Sequence, residues 1–322
     1  MAVLYVTSSG AAVGKTAICA GIGSYLLKKG KKVGFFKPFI GDKTIDGDCV
    51  FMKKILAMDE PEDSLCPAIS DQENMGSDIE KAYAKISADK DVVIVEGVSD
   101  QGQAGQRITQ ALNARVIVAG DYSDKENIIS SAKGFGKSLL GVVLNKVPAS
   151  KLEQVRQEIS ARAGEAGVSV LGVLPEDRVL YSLTIGELAE QLQGEILNFA
   201  GESDELVENF MLGAMCVDPG PDYYGRKASK AVVLKSERPD MQMAVLETPT
   251  KCLVVTGDTE LFHGVLYGAE TRNVPIISVK GDTVSTIASI EDALSQTRFH
   301  QEKKLKWLDE LMEKHFDFQA IS

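Results

Sequence analysis

Apolar runs that favour β-strands alternate with amphipathic, helix-like segments through the first half of this chain. Continuous apolar runs are typical of strands that a parallel sheet buries on both faces. The predicted strands are the run that begins at Val3 and residues 32–38, 91–97, 115–120, 139–146 and 168–175, and the predicted helices are residues 16–29, 49–57, 77–88, 125–133 and 150–166. The alternation predicts an α/β fold, with a mostly parallel sheet and helices on both of its faces.

A second, smaller alternation follows and predicts a smaller α/β domain. Its predicted strands are residues 231–234, 252–256 and 275–278, and its predicted helices are residues 205–212, 241–246, 260–269, 283–293 and 301–314. Residues 193–204 form the best candidate linker, whereas residues 59–76 have the composition of a surface loop. We therefore predict domains at residues 1–195 and 203–322, with the charged last helix packed on the second.

Composition and charge narrow the possible functions. The chain has 322 residues, of which 25% are charged and 44% hydrophobic, as in a soluble globular protein with a full core. A net charge of −11 argues against binding to nucleic acid or to an anionic membrane. No apolar run reaches membrane-spanning length, and the N-terminal residues lack the charged and apolar regions of a signal peptide, so neither a membrane span nor a leader is expected. The five cysteines include no C-x-x-C pair, which argues against zinc and favours a reducing cytoplasm.

The stretch between the first predicted strand and helix matches the phosphate-binding loop G-x-x-x-x-G-K-[ST], except that Ser9 takes the first glycine position and a glycine follows it. In such loops, backbone N–H groups and the helix N-terminus cradle phosphate oxygens. Lys15 would reach the outer phosphates, and the Thr16 hydroxyl would bind magnesium. The alternative, an accidental turn of small residues, is opposed by the flanking strand and helix. The predicted nucleotide contacts are Gly10, Ala11, Ala12, Val13, Gly14, Lys15, Thr16 and Ala17.

Four segments in order resemble dethiobiotin synthetase and its relatives, a branch of the P-loop ATPases. Residues 7–16 are similar to the family's T-G-T-D-T-E-V-G-K-T, and residues 34–38 to its second-strand K-P segment. Asp48 is similar to the acid that helps to hold magnesium, with Asp46 as a near competitor. Glu96 resembles the glutamate of E-G-A-G-G, which completes the metal site. The resemblance implies ATP and Mg²⁺ as ligands, with Lys15 and Lys37 as catalytic lysines.

The metal site also follows from the chemistry of magnesium, which prefers oxygen ligands and keeps several waters. One hydroxyl and two carboxylates, from Thr16, Asp48 and Glu96, are therefore sufficient beside the phosphates. Asp48 could instead be a solvated turn residue. Glu96 is harder to explain in that way, because it ends a buried run and a buried charge needs a partner. Asn145 either contacts the nucleotide base, as the equivalent strand end does in related ATPases, or caps a turn.

The C-terminal half resembles the DRTGG domain over roughly residues 205–315. Residues 237–240 are similar to its D-R-x-D segment, and residues 256–258 to its T-G-G. An ATPase-like domain followed by DRTGG is the arrangement at the N-terminus of long bacterial phosphotransacetylases, and residues 172–178 resemble the G-x-[IL]-P-E-D-R of that group. The acetyl-transferring domain would follow this region, so phosphotransacetylase activity is not expected from this sequence.

Two functions are compatible with the sequence. The first is a regulatory or ligand-sensing Mg-ATP-binding protein with weak hydrolysis, favoured because Ala11 and Ala12 replace the Thr and Glu of the synthetase loop. The alternative is an ATP-dependent ligase that activates a small carboxylate or carbamate, favoured by the intact Lys15, Lys37 and Glu96. The second domain is expected to bind an unidentified small molecule or to form a homodimer. The sequence does not identify that ligand.

Overall fold

The computed structural model describes residues 1–40, 47–69, 75–97, 103–213 and 220–321 of the chain. They fold into two compact units. Unit 1 comprises Met1–Asp177 together with Phe299–Ser322, and unit 2 comprises Arg178–Arg298. Both units contain a mostly parallel sheet with helices, so the predicted α/β class is confirmed.

Unit 1 is built around a six-stranded sheet whose neighbouring strands all run parallel, in the order β2-β5-β1-β6-β7-β8. Two short strands, β3 and β4, pair separately. The strands are β1 (Ala2–Ser8), β2 (Val33–Phe36), β3 (Phe39–Ile40), β4 (Ala68–Ile69), β5 (Val92–Glu96), β6 (Arg115–Asp121), β7 (Leu139–Val147) and β8 (Val170–Pro175). All five residues of β5 are buried, as expected for a strand inside a parallel sheet covered on both faces.

The helices of the first 177 residues connect these strands. They are α1 (Lys15–Lys28), α2 (Gly47–Ile55), α3 (Glu62–Leu65), α4 (Met75–Ser87), α5 (Gln103–Ala111), α6 (Ile128–Lys133) and α7 (Leu152–Ala166). The five helices predicted in this half are present, with ends shifted by up to three residues. The sequence pattern missed α5, and the segment predicted as a surface loop contains α3 and β4.

Unit 2 contains a five-stranded sheet in the order β10-β15-β14-β13-β12, parallel except between β10 and β15. Its strands are β9 (Leu183–Thr184), β10 (Glu195–Ile196), β11 (Leu206–Val207), β12 (Asn209–Leu212), β13 (Lys230–Lys235), β14 (Thr250–Thr256) and β15 (Ile276–Val279), and its helices are α8 (Ile185–Gln191), α9 (Gly220–Tyr224), α10 (Pro239–Leu246), α11 (His263–Thr271) and α12 (Thr283–Gln296). Alternate residues of β13 join two separate clusters of buried side chains, so both faces of this sheet are covered.

The boundary between the units differs from the predicted one. Within the segment expected to be a linker, β10 pairs with β15, and the Asn198 side chain bonds the backbone of Val274 and Ile276. Residues 205–212 were expected to be helical but form β11 and β12. Apolar residues at positions 206, 207, 210, 211 and 212 suit a helix by spacing, but pairing of β12 with β13 decides the outcome.

The C-terminal helix, α13 (Leu305–His315), belongs to unit 1 and not to the second domain as predicted. Asp309 Oδ2 accepts a hydrogen bond from the hydroxyl of Ser24 in α1 and forms an ion pair with Lys28 Nζ, with both distances 2.9 Å. The buried Met312 packs against Gly21, leaving no room there for a Cβ atom. Beyond the helix, the backbone N–H of Asp317 bonds the β8 carbonyl of Leu171 at 2.7 Å. Through these buried contacts and this backbone hydrogen bond, the C-terminal residues from Phe299 onward become part of unit 1.

We predict that Met312→Ala destabilises unit 1 by about 2–5 kcal/mol, because it opens a cavity against α1. Urea unfolding followed by the fluorescence of the single tryptophan, Trp307, measures the change, since Trp307 lies on the same helix. Lys306→Ala, at an exposed position of α13, serves as the control and should change stability by less than about 0.5 kcal/mol. Equal effects of the two substitutions would contradict the packing of α13 on unit 1.

Candidate functional site

Three adjacent strands bring the predicted site residues to one edge of the unit 1 sheet. In the order β2-β5-β1, Phe36 pairs with Val95, and Val6 pairs with Glu96. Lys37 therefore emerges from β2 beside the end of β5, while the glycine-containing loop leaves β1 on the other side. This is the carboxyl edge of a parallel sheet, where open α/β folds bind their ligands.

The loop between β1 and α1 adopts a curled backbone. Ala12 has φ 53° and Gly14 has φ 90°, both in the left-handed region. A Cβ atom at Gly14 would lie 2.6 Å from the Asn145 side-chain nitrogen, so this position needs glycine for conformation and for space. At the first glycine position, the backbone N–H of Ser9 bonds the β6 carbonyl of Ala119 at 2.9 Å, and the Ser9 hydroxyl donates to the same carbonyl at 3.3 Å.

Helix α1 begins at Lys15 with Gly14 as its N-cap, without a side-chain cap and without an acidic residue in its first turn. The first N–H groups of a helix have no partner within the helix, and they carry the positive end of its dipole. The predicted contacts Lys15, Thr16 and Ala17 form this first turn. The turn can therefore receive an anion.

A compact group of charged side chains lies directly behind the loop. The Lys37 ammonium is 2.6 Å from Asp48 Oδ2 and 3.1 Å from Glu96 Oε1. The Thr16 hydroxyl lies 3.2 and 3.1 Å from the same two oxygens. The side chains of Lys37, Asp48 and Glu96 are only 14, 11 and 3% exposed. The structure thus brings together the residues predicted to bind metal and one of the two predicted catalytic lysines.

Burial sets the electrostatics of this group. It raises the pKa of Glu96, partly offset by Lys37, while the charge of Asp48 raises it further. Burial also lowers the pKa of Lys15. The charge of Glu96 opposes this shift, and the charge of Lys37 adds to it. Lys15 Nζ donates to Ser8 Oγ at 3.1 Å, and Ser8 Oγ donates in turn to the carbonyl of Gly10 at 2.6 Å. Ser8 was not predicted, although its place among small loop residues was a signal.

The donor set fits magnesium. Glu96 Oε2 is buried and has no hydrogen-bond partner among the described residues, so it can accept a metal. Across the described ranges, no group of three or more His, Cys, Asp or Glu residues could hold a metal by itself. A hydroxyl and two carboxylates leave positions for phosphate oxygens and water, which magnesium retains in proteins. Asp46, the alternative acid, lies outside the described residues.

Two residues at the end of β7 hold the loop from its other side. Asn145 Nδ2 donates to the carbonyl of Val13 at 2.9 Å, and Asn145 Oδ1 accepts the backbone N–H of Lys146 at 2.9 Å. Lys146, with φ 58°, donates from Nζ to the carbonyl of Ala12 at 2.7 Å. The Asn145 side chain therefore caps its own turn and also fastens the loop. Contact with a nucleotide base stays a prediction.

Two further features bear on the predicted environment. Cys49 and Cys66 are paired, with Cα atoms 6.5 Å apart, in the range of disulfides. Disulfides are rare in a reducing cytoplasm, so the cytoplasmic location stays a prediction. Within the described part of the chain, no helix has the length and hydrophobicity needed to cross a bilayer.

Two protein-family models match this chain, and the two matched domains follow one another in the predicted order. Residues 2–183 match the AAA domain, and residues 187–293 match the DRTGG domain. The similar curated proteins are phosphate acetyltransferases. Those of Nitratidesulfovibrio vulgaris and Pseudomonas aeruginosa are each 23% identical to this chain and cover 99% and 100% of it. The chain spans about half of their length, 51% and 52%. The predicted resemblance is thereby confirmed.

Two of the solved structures with partial similarity to this chain are a cell division complex and a regulatory region. The MinC:MinD cell division protein complex of Aquifex aeolicus is 17% identical, with 56% of this chain and 83% of that chain covered and a TM-score of 0.40. The CBS and DRTGG domains of the regulatory region of Clostridium perfringens pyrophosphatase, complexed with the activator diadenosine tetraphosphate, are 15% identical. That match covers 34% of this chain and 46% of that chain, with a TM-score of 0.31.

We predict that Asn145→Ala weakens ATP and GTP binding to the same extent, by about tenfold, because it removes a partly buried hydrogen bond that shapes the loop. Titration of both nucleotides by calorimetry checks this. Asn127→Ala, whose exposed side chain caps no helix, is the matched control and should change neither affinity. A loss confined to ATP would instead support the base contact.

Proposed function

Because the chain belongs to the AAA domain family over residues 2–183, we propose that unit 1 binds Mg-ATP at the edge formed by β1, β2 and β5. The observation that carries the proposal is the curled loop with an uncapped helix behind it, next to a buried lysine–carboxylate group. A loop of this form offers N–H groups to phosphate oxygens. The neighbouring lysines and carboxylates match what the outer phosphates and their metal require.

Each site residue has a distinct role in this proposal. The N–H groups of residues 10–17 bind the phosphate chain, and Lys15 neutralises its outer charge. Thr16, Asp48 and Glu96 hold magnesium, which when bound offsets the negative charge that builds on the transferred phosphoryl group. Lys37 lies at the same edge and faces the carboxylates. Asn145 and Lys146 keep the loop in its curled form.

We further propose that the protein acts as a regulatory or ligand-sensing ATPase with weak hydrolysis. Hydrolysis needs a group that orients or deprotonates the attacking water. In this proposal, the two carboxylates of the site, Asp48 and Glu96, serve as metal ligands and are not available as a base. Loop positions Ala11 and Ala12 supply no acid. Slow turnover follows from this arrangement.

A ligase remains the second candidate, because Lys37 is held where it could face a second substrate. The two functions differ in one readout. A ligase releases ADP only when its carboxylate or carbamate substrate is present, whereas a regulatory ATPase releases ADP slowly without one.

For unit 2, we propose that the module binds a small ligand or pairs with a second copy. The carboxyl edge of its sheet, where Gly257 has φ 110° after Thr256, is the position at which α/β modules bind ligands. Arg238, in the segment that resembles D-R-x-D, forms an ion pair with Asp240 at 2.8 Å. Light scattering of the full chain tests the homodimer, which a mass of 34.7 kDa would exclude.

We predict that Lys15→Ala abolishes the rise in melting temperature that saturating Mg-ATP causes, because the variant lacks the cation beside the phosphates. For the unchanged protein, ATP at about 100 times its Kd should add roughly 2.7 kcal/mol of stability. Lys133→Ala, exposed at the end of α6, is the control and should retain the full shift. An ATP-induced shift of normal size in Lys15→Ala would overturn the assignment of the loop.

We predict that Asp48→Asn and Glu96→Gln each weaken ATP binding at least about tenfold in magnesium and much less in EDTA, because only the metal-bound complex uses these carboxylates. Calorimetric titrations of ATP with Mg²⁺ and with EDTA measure the two losses. Asp121→Asn, at the end of the neighbouring strand β6, is the control. Equal losses in both conditions would show that the acids do not contact the metal.

A further inference from the structure

We infer that the Lys37 ammonium acts as a built-in cation which keeps divalent metal out of the site until nucleotide phosphates draw it away. The inference rests on the proposed function and adds the order in which metal and nucleotide bind. Metal would enter only together with the nucleotide, so that the free ion does not load the site.

The geometry of the cluster carries this inference. The ammonium of Lys37 contacts one oxygen of Asp48 and one of Glu96, at 2.6 and 3.1 Å. Those two oxygens are the ones that the Thr16 hydroxyl also approaches. A magnesium ion bound to the Thr16 hydroxyl would take these same two oxygens at roughly 2.0–2.1 Å, since they are the carboxylate oxygens that the hydroxyl contacts, and Glu96 Oε2 would be left as a further acceptor. One oxygen pair cannot serve an ammonium and a metal at these distances, so the two cations exclude each other.

The backbone of Lys37 stays in place while its side chain can turn. Its N–H donates to the carbonyl of Leu65 at 2.8 Å, and Pro38 restricts the chain directly after it. The preceding strand, β2, is paired with β5. The long lysine side chain rotates about several single bonds, which allows the ammonium to leave the carboxylates. Exchange of cations therefore requires a side-chain movement and no rearrangement of the sheet.

Charge explains why metal alone does not drive that movement. Displaced from the carboxylates, the buried ammonium would lose its ion pairs with Asp48 and Glu96 and face a divalent cation, and the loss of buried ion pairs is unfavourable. Lys15, which interacts electrostatically with Lys37, would add to the repulsion. A nucleotide supplies several phosphate charges at the same edge, which give the ammonium new partners. Metal and nucleotide then bind with positive coupling, and each strengthens the other.

The test measures binding of Mn²⁺, a spectroscopic substitute for magnesium, to the full chain without nucleotide by electron paramagnetic resonance. Lys37→Met should bind Mn²⁺ at least about tenfold more tightly than the unchanged protein, because the competing charge is gone. Lys37→Arg keeps the charge and should stay close to the unchanged protein. Lys37→Gln is a second neutral variant in case Lys37→Met does not fold, which circular dichroism establishes first.

Two controls locate the effect. Lys133→Met removes an exposed lysine at the end of α6, and it should not increase Mn²⁺ binding. Adding Glu96→Gln to Lys37→Met should abolish the gain, because the metal then lacks one ligand. A gain that persists in this double variant would place the ion elsewhere and would contradict the inference.

The unchanged protein supplies the remaining outcomes. Its Mn²⁺ affinity should rise at least about tenfold when ATP is added, a coupling of about 1.4 kcal/mol. Equal Mn²⁺ affinity in the unchanged protein and in the neutral variants, or equal affinity with and without ATP, overturns the inference. Failure of the proposed function is a separate result, because it appears as absent ATP binding in both EDTA and magnesium. The comparison of variants in Mn²⁺ alone is independent of that result.

Discussion

The arrangement of unit 1 depends on compensating two carboxylates that lie side by side inside the protein. Asp48 and Glu96 come from separate elements, and their oxygens meet around one ammonium and one hydroxyl. Buried charges without partners would oppose folding, so the ends of β2 and β5 and the start of α1 and α2 must converge on this point. The same requirement suits this edge of the sheet to metal ions and phosphates, because another cation can replace the ammonium that compensates the two carboxylates.

Much of this arrangement could be predicted from the sequence, because each strand of a parallel sheet delivers its last residue to the same edge. The predicted strands at residues 32–38 and 91–97, which carry Lys37 and Glu96 near their ends, were sufficient to bring both residues to one place. The hydrogen bond from Lys146 to the loop carbonyl of Ala12 could not be predicted from the sequence. It requires Lys146 to adopt a left-handed backbone and β7 to lie near the loop, and local sequence specifies neither.

The incorrect predictions have a common physical origin. Residues 205–212, residues 193–204 and α13 all take their place through partners that are distant in sequence. The spacing of apolar residues shows that a segment has a buried side, but it does not identify the surface that buries it. An amphipathic helix such as α13 fits either unit by pattern. The contacts of Asp309, Met312 and Asp317 determine the one to which it belongs.

The return of α13 to unit 1 also sets an order of folding during synthesis. Protein domains generally fold as units while the chain emerges from the ribosome, starting from the N-terminus. Here the residues of unit 2 emerge before Met312 reaches its position against α1, so the later unit in the chain can complete its core first. Until then, α1 exposes the apolar surface around Gly21 to solvent. A nascent chain that has emerged from the ribosome as far as residue 298 would carry a complete second unit and an incomplete first one.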